Sequence, residues 1–224
     1  MVTSEDRRSK TICAERIAME QQRIYLQSRW VAFYSGVILA IAYGIFASAH
    51  FVMFQRTREW VLLLFCISEA LTVVFVMFRS NPGTVSINLF DWIVGIAGTF
   101  APLLLRPAPL GLSSLTKYAI IAGILMQIAG LISLNRSFAI VAAKREIKTK
   151  GMYRVVRHPL YASYFVIFTG YVLMNTSVTN IVVCTFTLIL LLIRCSTEEE
   201  HLALDPSYLE YMQKVNYRII PFVY

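Results

Sequence analysis

Six apolar stretches carry almost none of the chain's charge, and this segregation constrains the fold more than any other feature. They run from Trp30 to Phe54, Trp60 to Phe78, Ile87 to Leu105, Leu112 to Leu134, Pro159 to Met174 and Val178 to Ile193. Together they cover 118 residues and hold three formal charges, Glu69, Asp91 and Lys117, while the other 106 residues hold 31. A charge at the centre of a bilayer costs about 3 kcal/mol on insertion scales, whereas a soluble core tolerates frequent interruption. The pattern predicts an all-α, polytopic integral membrane protein with about six transmembrane helices. Composition agrees, with 57% hydrophobic and 15% charged residues where soluble domains carry roughly 25% charged.

The first four stretches have 19 to 25 residues and can cross the hydrocarbon core. The last two have 16 each and are joined only by Asn175, Thr176 and Ser177. They read as a short helical hairpin that continues into polar sequence on one side. The chain thereby divides into a basic N-terminal segment (1–29), four membrane helices (30–134) and a C-terminal core (135–224) built from a loop, the hairpin and a tail.

Lys and Arg counts set the expected topology. With both termini on one side, that side receives 17 of the 21 basic residues, seven of them between residues 135 and 158. Arg56, Arg58, Arg106 and Lys117 face the other side. Both termini and the long loop are therefore expected in the cytoplasm. No cleavable signal peptide is expected, because the chain opens with the charged run Glu5 to Arg8. Residues 5–29 mix charge with Ile12, Ile17, Ile24 and Tyr25 and suit either an amphipathic helix on an anionic membrane surface or a solvated tail. Cys13, Cys66, Cys184 and Cys195 lack metal-ligand spacing, so neither disulfides nor a metal are expected. No nucleic-acid partner is expected, and the oligomeric state is open.

Two polar stretches flank the hairpin, which brings them to one end of the fold. The first ends Gly151-Met-Tyr153-Arg-Val-Val-Arg157-His158-Pro159-Leu160-Tyr161. Pro159 suits the first turn of a helix. Arg157 and His158 would then stand at its entrance, where backbone N–H groups and the dipole favour anions. Tyr153, Tyr161 and Tyr164 offer faces for an organic cation. Taken alone, such basic residues beside a membrane helix are more often topology determinants and headgroup contacts than a binding site. The second stretch opens Arg194-Cys-Ser-Thr-Glu198-Glu199-Glu200-His201, with Arg194 and Glu198 on one helical face. Glu198 could hold an ammonium while Arg194 faces a substrate; a surface ion pair is the bland alternative. The tail, with Tyr208, Tyr211, Arg218 and Pro221, could fold back as a lid or lie at the membrane interface.

Gly151-x-Tyr153, Arg157-His-Pro-x-Tyr161, a short hairpin, Arg194-x-x-x-Glu198-Glu199 and a closing Tyr-x-x-Tyr together resemble the isoprenylcysteine carboxyl methyltransferase family. The related membrane phospholipid methyltransferases share much of this order. The resemblance spans roughly residues 130–224 and departs from the family at Asp205-Pro206 and in the ending Asn216-Tyr-Arg-Ile-Ile-Pro221. It implies S-adenosylmethionine as cofactor, and a lipidic or prenylated acceptor entering from the bilayer. By the same resemblance the cofactor contacts are Tyr153, His158, Pro159, Leu160, Tyr161 and Glu198, with backbone contacts near Ile147 and Lys148. Arg194 is implied at the acceptor.

A carboxylate acceptor is already ionised and needs only orientation, which Arg194 supplies. An amine acceptor must first lose a proton, for which Glu199, Glu200 or His201 is a candidate. The resemblance favours the isoprenylcysteine-like carboxylate, with phospholipid N-methylation as the alternative. A reading of another class, a transporter or channel, rests on the intramembrane acids Glu69 and Asp91.

Overall fold

The computed structural model describes residues 29–78, 84–86, 88–108, 111, 115–134, 137, 143–144 and 147–223. Residues 5–28 of the expected amphipathic segment, Arg79 and most of the loop between 135 and 146 lie outside the described residues. The chain forms α1 (Arg29–Thr57), α2 (Trp60–Met77), α3 (Leu89–Phe100), α4 (Thr116–Leu134), α5 (Pro159–Met174), α6 (Val178–Leu202) and α7 (Pro206–Lys214). Short 3-10 turns cover Ala101–Leu104 and Gly151–Arg154. The only strands among the described residues are β1 (Thr84–Val85) and β2 (Ala143–Lys144), paired antiparallel with Thr84 opposite Lys144.

Among the described residues, four helices are long and apolar enough to cross a membrane: Gly36–Thr57 within α1, Trp60–Met77, Thr116–Leu134 and Val178–Leu202. Leu89–Leu104 and Pro159–Met174 are apolar but shorter. The third expected span changes hydrogen-bonding pattern where Pro102 lacks an N–H to donate, and finishes as the 3-10 turn. The last expected span, by contrast, continues past Ile193 to Leu202 as one unbroken helix. This polar extension carries Arg194, Glu198 and Glu199 to one end of the bundle.

Helix boundaries follow local chemistry. Arg58, at φ 58°, reverses the chain between α1 and α2, its N–H reaching Phe54 O at 2.7 Å. Asn88 caps α3 by accepting from Phe90 N, Ser177 caps α6 by accepting from Asn180 N, and Asp205 caps α7 by accepting from Ser207 N. The departure Asp205-Pro206 is thus an N-cap followed by a first-turn proline. It starts the helix that the tail places over the loop.

Helices α4 and α5 share the most extensive contact in the bundle, more extensive than that between α5 and its hairpin partner α6. Glycines make it possible. A Cβ on Gly123 would stand 2.6 Å from Ile167 Cγ1, one on Gly130 2.9 Å from Leu160 Cδ2, and one on Gly170 2.9 Å from Ile120 Cγ1. Lipid offers no hydrophobic drive between helices, so close backbone approach supplies the packing. The main core joins Phe65, Ile120, Ile167, Tyr171, Leu191 and Cys195 with Ile219 of the tail. Gly95 and Gly98 are buried in α3, and a Cβ on Gly98 would stand 3.7 Å from Leu190 Cβ.

Candidate active site

Pro159 occupies the first turn of α5 with His158 as its N-cap, and no side chain caps the helix. The first intrahelical bond is Ala162 N to His158 O. The N–H groups of Leu160 and Tyr161 are left as the helix's uncapped donors. Preceding this helix, the turn at Gly151–Arg154 buries Tyr153. Gly151 sits at φ 63°, where a Cβ would collide with Ser133, so only glycine fits there.

Arg157 and His158 stand at the helix entrance on the wall of a cavity and are already paired with an acid of the protein itself. Both turn to Glu199: Arg157 Nε lies 2.6 Å from Oε1 and His158 Nε2 3.1 Å from the same oxygen. Arg218 Nε approaches Oε2 at 2.7 Å. Arg157 also donates through Nη1 to Val215 O at 2.7 Å and Asn216 O at 2.9 Å. Backbone bonds from Arg157 N to Tyr217 O and from His158 N to Arg218 O complete the attachment. The tail is therefore strapped across the entrance to α5. Glu199, weighed above as a base for an amine, is committed to this clamp.

Beneath the strap lies a cavity whose atom-free space, counted together with its open mouth, is about 1260 Å³. At its loop end stand Ile147, Lys148, Tyr153, His158, Leu160, Tyr161 and Glu198, joined by Tyr208 and Tyr211 of α7. Eight of the nine residues expected at the site therefore line one cavity. Pro159 does not; it is buried and sets the helix start. Tyr161 donates its hydroxyl to Glu198 Oε2 at 2.7 Å, and Arg194 lies over the Tyr161 ring with its guanidinium carbon 5.8 Å from the centroid. Tyr211 donates to Tyr153 O at 2.7 Å, which fixes α7 over the loop. Burial holds the Tyr153 phenol well above its ordinary value, with the charge of Glu198 adding to this, so it remains a neutral donor.

The cavity does not stop at the loop. It continues between the helices, past Arg194 and Tyr164, to Tyr43 of α1, Glu69 and Thr72 of α2, and Thr99 of α3. Thr99 links three helices, accepting from Tyr43 at its carbonyl (3.1 Å) and from Arg194 at Oγ1 (3.3 Å). Sequence reasoning did not anticipate these contacts. Its one usable signal was Glu69, an acid in a span, which it attached to the transport reading. Asp91, the other acid in that reading, is buried in the first turn of α3 and accepts the Ser86 hydroxyl. Its place is explained by helix initiation.

The cavity thus joins a loop rich in tyrosines, with an uncapped helix start, to the interior of a membrane bundle. Residues 114–204 match the model of the phospholipid methyltransferase family. The matched stretch begins just before α4, takes in the Gly151 turn and α5, and ends just after α6. It supports a membrane methyltransferase acting on lipid-type substrates. No curated protein matches the chain.

Proposed function

We propose that the protein uses S-adenosylmethionine to methylate the amine of a phospholipid headgroup, the lipid entering the cavity from the bilayer. The observation that carries this is the continuity of one cavity from Tyr161 and Glu198 to the intramembrane residues Tyr43 and Glu69. A soluble cofactor and a lipid can meet there without either crossing an unfavourable phase.

The donor set fits the cofactor. Its carboxylate suits the uncapped N–H groups of Leu160 and Tyr161, and its ammonium suits Glu198, already positioned by Tyr161. Its cationic sulfur suits the faces of Tyr153 and Tyr161. The cofactor supplies an activated methyl group; the protein's residues hold and orient. Positioning of this kind dominates displacement reactions that need little covalent help.

The amine is preferred because the matched family is described by phospholipid methylation and because an acid, Glu69, stands in the same cavity. A second reading, O-methylation of an isoprenylcysteine-like carboxylate, is favoured by Arg194, whose guanidinium lines the cavity and can hold a carboxylate by two bonds. Both termini and the clamped tail belong on the cytoplasmic side by the distribution of Lys and Arg. The test is to supply methyl-labelled cofactor with phosphatidylethanolamine and, separately, with prenylcysteines. Label in the phospholipid alone supports the first reading, label in the prenylcysteine alone supports the second, and no labelled lipid contradicts both.

A further inference from the structure

Glu69 lies near the middle of α2, is 7% exposed and forms part of the cavity wall. Among the described residues its carboxylate makes no hydrogen bond or ion pair. An ionised carboxylate buried without a partner costs several kcal/mol, and an apolar side chain there would stabilise the bundle. Gln127, fully buried, donates Nε2 to Thr72 Oγ1 at 3.0 Å, while its Oε1 accepts from nothing among the described residues. Thr72 in turn donates to Ser68 O at 3.2 Å, and Tyr43 donates to Thr99 O. Two acceptors, Glu69 and Gln127 Oε1, thus share a region in which the Tyr164 phenol, beside Thr72 and Gln127, is the remaining side-chain donor.

A second relationship gives this region a direction. The phenols of Tyr43 and Tyr164 each lie within electrostatic reach of both Glu69 and Arg194. The cavity wall therefore holds a cation, two phenols and an anion, all on membrane helices. A headgroup with an anionic phosphate and an ammonium a few bonds away offers a counter-charge to each.

Resting on the methyltransferase activity proposed above, we propose that Glu69 is the acceptor-side residue of this site. Its carboxylate holds the ammonium of the lipid and takes the proton that the nitrogen must lose. An ammonium has no lone pair to offer a methyl group. When one N–H bond breaks, the proton goes to the Glu69 carboxylate and the bonding pair stays on nitrogen for the new N–C bond; the methyl's bond to the cofactor's sulfur would break with its pair staying on sulfur, so that the leaving group would be a neutral thioether. The proton then leaves to water at the cavity's mouth. The intramembrane acid is thereby explained by chemistry, not by transport.

The experiment uses the full-length protein in detergent and measures binding of S-adenosylmethionine, short-chain phosphatidylethanolamine and the matching phosphatidylglycerol, which has the phosphate but no amine. The wild type is expected to prefer the ethanolamine lipid, and E69Q to lose that preference by roughly tenfold or more. E69Q should keep its cofactor affinity within about twofold, since the cofactor residues lie at the other end. E69D, which keeps the charge, should retain part of the preference. Equal affinity of the wild type for the two lipids overturns the assignment without any variant. E69Q that binds cofactor and still prefers the amine overturns the role of Glu69 while leaving the methyltransferase activity standing. Failure of the wild type to bind S-adenosylmethionine overturns both.

Discussion

Arg157 meets Glu199 through two guanidinium nitrogens, Nε at 2.6 Å and Nη2 at 3.3 Å, across 42 residues of sequence. The same carboxylate also receives His158 and Arg218. One acid at the polar end of α6 thus holds the start of α5 and the returning tail together. Glu199→Ala strips three basic groups of their counter-charge, and removing one partner of a buried pair costs about 3–5 kcal/mol. Thermal unfolding in detergent should show the loss, and limited proteolysis should show earlier cleavage between residues 203 and 218. Glu199→Gln should lose less, because it keeps acceptor and shape.

Tyr161→Phe removes the hydroxyl that orients Glu198 while keeping the ring beneath Arg194. A hydrogen bond to a charged group contributes about 1.5–3 kcal/mol, so affinity for S-adenosylmethionine should fall roughly tenfold or somewhat more. The melting temperature should change little. Equilibrium binding to the purified variant checks both statements.

Arg194→Ala should abolish turnover while sparing most of the cofactor affinity, because Arg194 stands between the loop residues and Tyr43 and Glu69. Arg194→Lys should not restore full activity, since an ammonium cannot reproduce the planar fork that rests on Tyr161 and reaches Thr99 Oγ1. Turnover and cofactor binding measured side by side separate the two effects.

Gly123→Leu and Gly130→Val should each loosen the α4–α5 pair, because their Cβ atoms would press on Ile167 and Leu160. Overpacking of this kind costs about 1–3 kcal/mol. Leu160 also lines the cavity, so Gly130→Val should lower cofactor affinity as well as the melting temperature. Gly123→Leu should mainly lower the melting temperature.

The bundle was legible in the sequence because a bilayer forbids charge in its core, and the chain obeys that rule nearly everywhere. Pro159 announced its helix start, and the spacing of Arg194 and Glu198 announced a shared face. What escaped is what needs distant partners. Nothing local in Arg157-His158 or in Glu198-Glu199-Glu200 says that the middle glutamate, not the first, closes a clamp 42 residues away. The shortening of the third span at Pro102 lay in the apolar run but was masked by its overall hydrophobicity. Glu69 was visible as an anomaly, yet only the folded cavity shows that it shares a wall with Arg194 and Tyr161.

The most direct measurement of the central claim is calorimetric titration of S-adenosylmethionine into the purified protein, with Glu198→Ala beside the wild type. The wild type should bind at a single site, and Glu198→Ala should bind at least roughly tenfold more weakly, having lost the acid that meets the cofactor's ammonium. A wild type that shows no binding, or a Glu198→Ala variant that binds as tightly as the wild type, would contradict the account.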